Sequence, residues 1–165
     1  MKINKRLTSV ALASTFLVLF LILISSTASA QYALQTSNGY YLTAVGGGGQ
    51  TTDAIHSNAT VITGYETFYL IPQSGSWYAL QTSNGYSLTA VDGGGKTTDA
   101  IRSNATVITK NEMFNLIPQG GSWYALQTIN GSYFTAVGGG GQTTDAIRSN
   151  ATVIKEYEMF RLIQV

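Results

Sequence analysis

The stretch TAVGGGGQTTDAIHSNATVI, Thr43 to Ile62, decides how the rest of the chain is read, because it comes back twice. It returns as TAVDGGGKTTDAIRSNATVI at Thr89 to Ile108 and as TAVGGGGQTTDAIRSNATVI at Thr135 to Ile154, offset by 46 residues each time. Self-similarity at a fixed period of this length marks a repeat architecture. Extended to their full length, the copies run over residues 31–76, 77–122 and 123–165, and the first two differ at ten of their 46 positions. Only PQSGS (Pro72 to Ser76) and PQGGS (Pro118 to Ser122) stand at the joints. About 135 residues are enough for one domain with a substantial core and too few for three, so the copies must share one core.

Each copy reads as short β-favouring runs bounded by turn residues, with no sustained apolar period of 3.6. In the first copy YALQT (Tyr32 to Thr36) predicts a strand and Ser37-Asn38-Gly39 a tight turn, since Asn-Gly readily takes positive φ. YYLTAV (Tyr40 to Val45) is the second strand, Gly46 to Gln50 a flexible loop, Ala54 to Ser57 a third strand, and ETFYLI (Glu66 to Ile71) the fourth. Four strands in each of three copies around one core predict an all-β fold, a β-trefoil with pseudo-threefold symmetry. A β-propeller has blades of similar size but typically needs four or more to close. Equivalent residues should then layer the core: Leu34/Leu80/Leu126, Leu42/Leu88/Phe134, Ile55/Ile101/Ile147, Phe68/Phe114/Phe160 and Leu70/Leu116/Leu162.

The first thirty residues read as a signal peptide. Lys2, Lys5 and Arg6 precede an apolar run from Val10 to Ile24, and Ala28-Ser29-Ala30 supplies the small residues of a cleavage site. That run is short of the roughly 20 residues that span a bilayer. The expectation is a secreted, extracellular protein beginning near Gln31. Its six basic and eight acidic residues give a net charge of −2. Such a surface argues against nucleic acid and, after cleavage, against membranes as partners. There is no cysteine to form a disulfide framework.

NGYYLTAV (Asn38 to Val45), followed by its glycine loop, resembles the NGxYLxA hairpin of fascin-like β-trefoil domains. SNATVITGYETFYLI (Ser57 to Ile71) is similar to the NRTxIGPWExFxLI ending of secreted bacterial members of that group. Asn58, Thr60, Ile62, Glu66, Phe68 and Leu70 fall on the pattern, as do their counterparts 46 and 92 residues on. The chain departs where the pattern has Gly-Pro-Trp, with Gly64-Tyr65, Lys110-Asn111 and Glu156-Tyr157. The Q-x-W signature of ricin-type trefoil lectins is absent. What the resemblance implies is a trefoil fold with one of two roles: carbohydrate binding or adhesion, as in secreted bacterial members, or filament bundling, as in eukaryotic fascins.

Catalytic chemistry is thinly supplied. His56 is the one histidine, and the sister copies carry Arg102 and Arg148 in its place. With no cysteine and a single histidine, neither an ordinary zinc site nor a cofactor is expected. A glycosidase-like pair of Asp53 and Glu66 is conceivable, but threefold copying is a poor way to build one asymmetric active site. GGGGQTT lacks the G-K-[ST] ending of a phosphate loop. No catalytic residue is therefore assigned, and the chain reads as a non-enzyme.

Binding is the better-supplied chemistry, and the candidate ligand residues are Tyr40, Gln50 and Asp53 in the first copy, Tyr86, Lys96 and Asp99 in the second, and Tyr133, Gln142 and Asp145 in the third. Two readings stand for the aspartates: a carboxylate accepting sugar hydroxyls, or a cap on the loop that bears it. The tyrosines, with Tyr41, Tyr65, Trp77, Trp123 and Tyr157, offer ring faces for stacking on a sugar. Asn58, Asn104, Asn150 and Asn130 lie in N-x-[ST] triplets, which a eukaryotic secretory pathway would read as glycan acceptors; the first three also match the family turn, and the structural reading, side chains bonding their own backbone in turns, is favoured. The expectation is a monomeric, lectin-like trefoil with up to three equivalent weak sites for carbohydrate. A fascin-like protein that cross-links filaments or matrix, or binds a protein partner, is the alternative.

Overall fold

A computed structural model describes residues 29–165; the signal-peptide reading of residues 1–30 lies, but for its last two residues, outside the described residues. Among the described residues no helix is long and apolar enough to cross a membrane. The described residues form twelve strands: β1 (Gln31–Gln35), β2 (Tyr41–Ala44), β3 (Ile55–Ala59), β4 (Thr67–Ser74), β5 (Trp77–Gln81), β6 (Ser87–Ala90), β7 (Ile101–Ala105), β8 (Met113–Gly120), β9 (Trp123–Gln127), β10 (Tyr133–Ala136), β11 (Ile147–Ala151) and β12 (Met159–Gln164).

All pairings are antiparallel. β1 pairs with β4, β4 with β5, β5 with β8, β8 with β9, β9 with β12, and β12 returns to β1. Six strands therefore close a barrel and leave it no edge. The hairpins β2–β3, β6–β7 and β10–β11 stand off this ring, and each carries a register shift, as between Tyr41 and Thr43. Their second strands meet one another about the pseudo-threefold axis and close one end of the barrel. This is the β-trefoil.

The core follows the alternation read from the sequence. Phe68, Phe114 and Phe160 are fully buried, as are Leu34, Leu80 and Leu126. Phe134 stands where the other copies have leucine, and its ring meets Phe114 edge to face with centroids 4.9 Å apart. Leu162 departs from the expected layer: it is only partly buried, at the open end of the barrel, which it lines with Leu70 and Leu116.

The glycine loop is not the flexible connection its composition suggests. Val45–Gly47 forms a 3-10 turn, and Gly47 and Gly48 are buried. The loop packs into the Thr-Ser-Asn-Gly turn of the following copy. Asn84 Nδ2 donates to Gly46 O at 3.0 Å, and Asn84 N to Gly47 O at 3.3 Å. The second loop meets the third copy through Asn130 and the third meets the first through Asn38, so the interlock is cyclic. Glycine is needed for proximity as well as for φ: a Cβ on Gly48, at φ +113, would collide with the buried Thr82 hydroxyl.

Gly48→Ala should therefore lower stability by more than about 2 kcal/mol, since strain and collision add. Gly75→Ala, at φ +57 with nothing within 4 Å of the new methyl, should cost about 1 kcal/mol. Denaturant unfolding of the two variants gives the comparison, and equal losses would remove the packing term.

Candidate functional site

Asp53, Asp99 and Asp145 each end the Thr-Thr-Asp segment just before β3, β7 and β11, with φ near +45° in all three (44°, 45° and 46°). Aspartate tolerates this left-handed conformation better than most residues. The fold brings the three together on the axis. Asp53 N–H donates to Asp99 Oδ1, Asp99 N–H to Asp145 Oδ1, and Asp145 N–H to Asp53 Oδ1, each at 2.8 Å. Of the two readings open for these residues, the structure shows the cap, with one difference: each carboxylate caps the loop of the preceding copy. One carboxylate oxygen from each lies within 4.8 Å of the others, a hard donor set of the kind cations take. The half-buried aspartates thus form a single cluster and do not supply one carboxylate to each of three separate sites.

The other candidates lie at the seams between copies. Gly49 N–H donates to Ser103 O at 2.6 Å, and Ser103 N–H returns to Gln50 O at 3.0 Å, pinning the backbone of Gln50. Its side chain stays exposed. The ring that lies over this segment comes from the next copy: a Cβ on Gly49 would come within 3.4 Å of Tyr86. Tyr40 likewise lies over Gly141, beside Gln142. The third equivalent holds Ser132 beside Lys96, so the tyrosine–amide arrangement occurs twice, across copies rather than within them. Tyr133 occupies the position of Tyr41 and Ser87 instead, and its hydroxyl accepts from Gln127 Nε2 at 3.3 Å. Lys96 is engaged with Asp92 Oδ2 at 2.8 Å, and this hydrogen bond and charge hold the Asp92 carboxyl below its usual range.

The acids suggested for hydrolysis have structural duties. Glu66 is buried; its Oε2 accepts from Thr63 N–H at 2.9 Å and from the Thr63 hydroxyl, and its Oε1 from Thr43 Oγ1 at 2.8 Å. Glu112 repeats this with Thr109 and Thr89. Glu158 keeps the bonds from Thr135 and from Lys155 N–H, having lost the hydroxyl that threonine supplies in the other copies. His56 sits half-buried on β3, opposite Thr43. Asn58, Asn104 and Asn150 differ from the turn reading: they are exposed on β3, β7 and β11, with no side-chain hydrogen bond among the described residues.

Two recesses involve residues that were not grouped at the sequence. The open barrel end holds a cavity of about 790 Å³, lined by Tyr32, Tyr78, Tyr124 and the leucines beneath them. A second, of about 330 Å³, lies where the third copy meets the first and is walled by Ser37, Gln119, Trp123, Glu156 and Met159. Trp123 was marked by its ring, but nothing local in sequence joins it to Glu156 or Ser37.

Asp99→Ala should orphan the Asp53 N–H and cost about 1–3 kcal/mol, whereas Asp99→Asn keeps an acceptor and removes one of three like charges. The asparagine variant should match or exceed the parent in thermal unfolding. A loss as large as that of alanine would overturn the capping account.

Comparison with protein-family models finds no match, and comparison with curated proteins finds none either. Solved structures do match. The designed threefold-symmetric protein ThreeFoil superposes with a TM-score of 0.71 at 13% identity, covering 82% of this chain and 99% of its own. The Rhizoctonia solani agglutinin gives 0.69 at 12% identity, over 85% of this chain and 98% of its own. SeviL, solved bound to the asialo-GM1 saccharide, gives 0.60 at 12% identity, over 82% and 98%. At such identities the likeness is one of fold, and by fold this chain is a β-trefoil of the same architecture as those three proteins.

Proposed function

We propose that this chain is a secreted, non-catalytic, lectin-like protein that binds carbohydrate weakly at the seams between its copies, at up to three sites. The observation that carries the reading is the placement of aromatic rings beside exposed amides at those seams, Tyr86 with Gln50 and Tyr40 with Gln142, on a backbone held rigid by cross-copy hydrogen bonds. A ring face takes the apolar side of a sugar while an amide both donates to and accepts from hydroxyls. Rigid presentation limits the entropy lost on binding. The agglutinin and the saccharide-bound SeviL, which share the fold, support the same direction. Several weak sites on one rigid body would gain strength on a polymer or cell surface through effective concentration.

A second reading, a fascin-like cross-linker or partner-binding protein, is favoured by a different observation. Val61, Val107 and Val153, one in each copy, are exposed at 65%, 68% and 57%. Apolar residues repeated at the surface suit contact with protein or matrix.

A glycan array combined with pull-down on insoluble polysaccharides tests the first reading, which expects retention of the folded protein on at least one glycan. Retention on none, with co-sedimentation on protein filaments, would transfer the assignment to the second. Secretion has its own readout: mass spectrometry of the exported protein should find Gln31 as the first residue, and a chain still carrying residues 1–30 would overturn cleavage.

A further inference from the structure

The three seams are not equal, and one of them has the walls of a sugar pocket. At the junction of the third copy with the first, Trp123 at the start of β9 and Met159 at the start of β12 give a cavity of about 330 Å³ its apolar side. Three polar side chains line it: Glu156, Gln119 and Ser37. Glu156 lies two residues before Glu158 and differs from it in every respect that matters. Glu158 is buried with both oxygens hydrogen-bonded. Glu156 is exposed, and its carboxylate has no hydrogen-bond partner among the described residues. Gln119 is oriented through Nε2, which donates to Ile117 O at 3.3 Å, leaving its carbonyl oxygen as an acceptor. The Ser37 hydroxyl is buried without a partner among the described residues, so turning it toward a ligand forfeits no hydrogen bond. The cavity is within the size range of small-molecule sites.

Moving by one repeat length removes this combination. The seam between the second and third copies has Trp77 and Met113, but Lys110 replaces the acid and Ile129 the serine. The seam between the first and second has Gln31 in place of the indole and Gly64 in place of the acid. A ring face, a free carboxylate and an unpaired hydroxyl thus coincide at one seam of three.

We infer that this seam is a single saccharide site that takes a neutral hexopyranose and rejects its anionic counterparts. The inference rests on the carbohydrate-binding reading above, and it moves the binding from the tyrosine–amide pairs to one cavity. Trp123 stacks on the apolar face of the ring. Glu156 accepts hydrogen bonds from neighbouring hydroxyls, of the stronger charge-assisted kind. Neither Lys nor Arg lines the cavity, so a uronate or sialate would meet the Glu156 carboxylate with no cation among the lining side chains.

Trp77 and Trp123 are the only tryptophans, which gives the test a direct readout. With Trp77→Phe in place, Trp123 is the sole indole, and its emission should change saturably with one of the methyl glycosides of galactose, glucose, mannose or N-acetylglucosamine, titrated in turn. Glucuronic acid should give no change. Calorimetry on the unaltered chain should find one site. Trp123→Ala and Glu156→Gln should each weaken binding about tenfold, the scale of one lost strong contact, while Lys110→Gln leaves it unchanged. Glu156 is exposed and its carboxylate unbonded, so its variant tests the site even where Trp123→Ala disturbs folding. Retention on a glycan array with both variants unaffected, or three sites by calorimetry, overturns the seam assignment and leaves the lectin reading intact. Equal binding of glucuronic acid overturns the neutral selectivity. No response to any of the four glycosides overturns the site, and no retention on the array removes the broader reading with it.

Discussion

The structure depends on an interaction that no copy can make with itself. The glycine loop after each second strand sits in the turn of the following copy, its carbonyls taken by Asn84, Asn130 or Asn38. Within the same interface Ser103, Ser149 and Ser57 exchange backbone hydrogen bonds with a neighbouring loop. The three aspartates close a third cycle at the axis. In linear repeat proteins a unit adds stability through its neighbours and the array can grow or fray at its ends. Here each of these three sets of contacts closes in a circle, so loss of one copy leaves two interfaces unmatched, and the fold forms as a unit.

Departures from perfect repetition fall into two groups. Some are compensated locally. Asp92 takes the place of Gly46 and Gly138 at a positive-φ position, and Lys96 the place of Gln50 and Gln142; the two new charges pair with each other. Others are uncompensated, and they lie at the seams: Glu156 against Gly64 and Lys110, and Ser37 and Ser83 against Ile129. Structural positions keep their duties through all three copies, as Glu66, Glu112 and Glu158 do at their 3-10 turns. The asymmetry gathers where ligands can reach.

Much of the fold was legible in the sequence because it is written in local patterns. The alternation of Phe68 with Leu70, the Asn38-Gly39 turn and the 46-residue period each speak within a few residues or by direct comparison of copies. The loops are illegible for the opposite reason. Gly46 to Gln50 looks flexible by composition, but its glycines answer to Thr82 and Asn84, which belong to another copy. The aspartates were recognised as caps or ligands, yet their partners stand 46 or 92 residues away in the chain. Trp123 and Glu156 were each visible alone. Their meeting with Ser37 requires the third copy to close upon the first, which the barrel geometry supplies and the linear order conceals.

That closure also bears on the order of the copies. β1 pairs with β12 from Tyr32 opposite Gln164 to Gln35 opposite Arg161, and Val165 N–H donates to Gln31 O at 3.0 Å. The seam between first and last copies is held by the same kind of antiparallel pairing as the covalently joined ones, β4 with β5 and β8 with β9. A peptide bond at those two joints adds little that the sheet does not already provide. The ordering of the copies is then not dictated by the barrel: a molecule with Val165 joined to Gln31 and cut at Gly75 or Gly121, both exposed, would have the same interior.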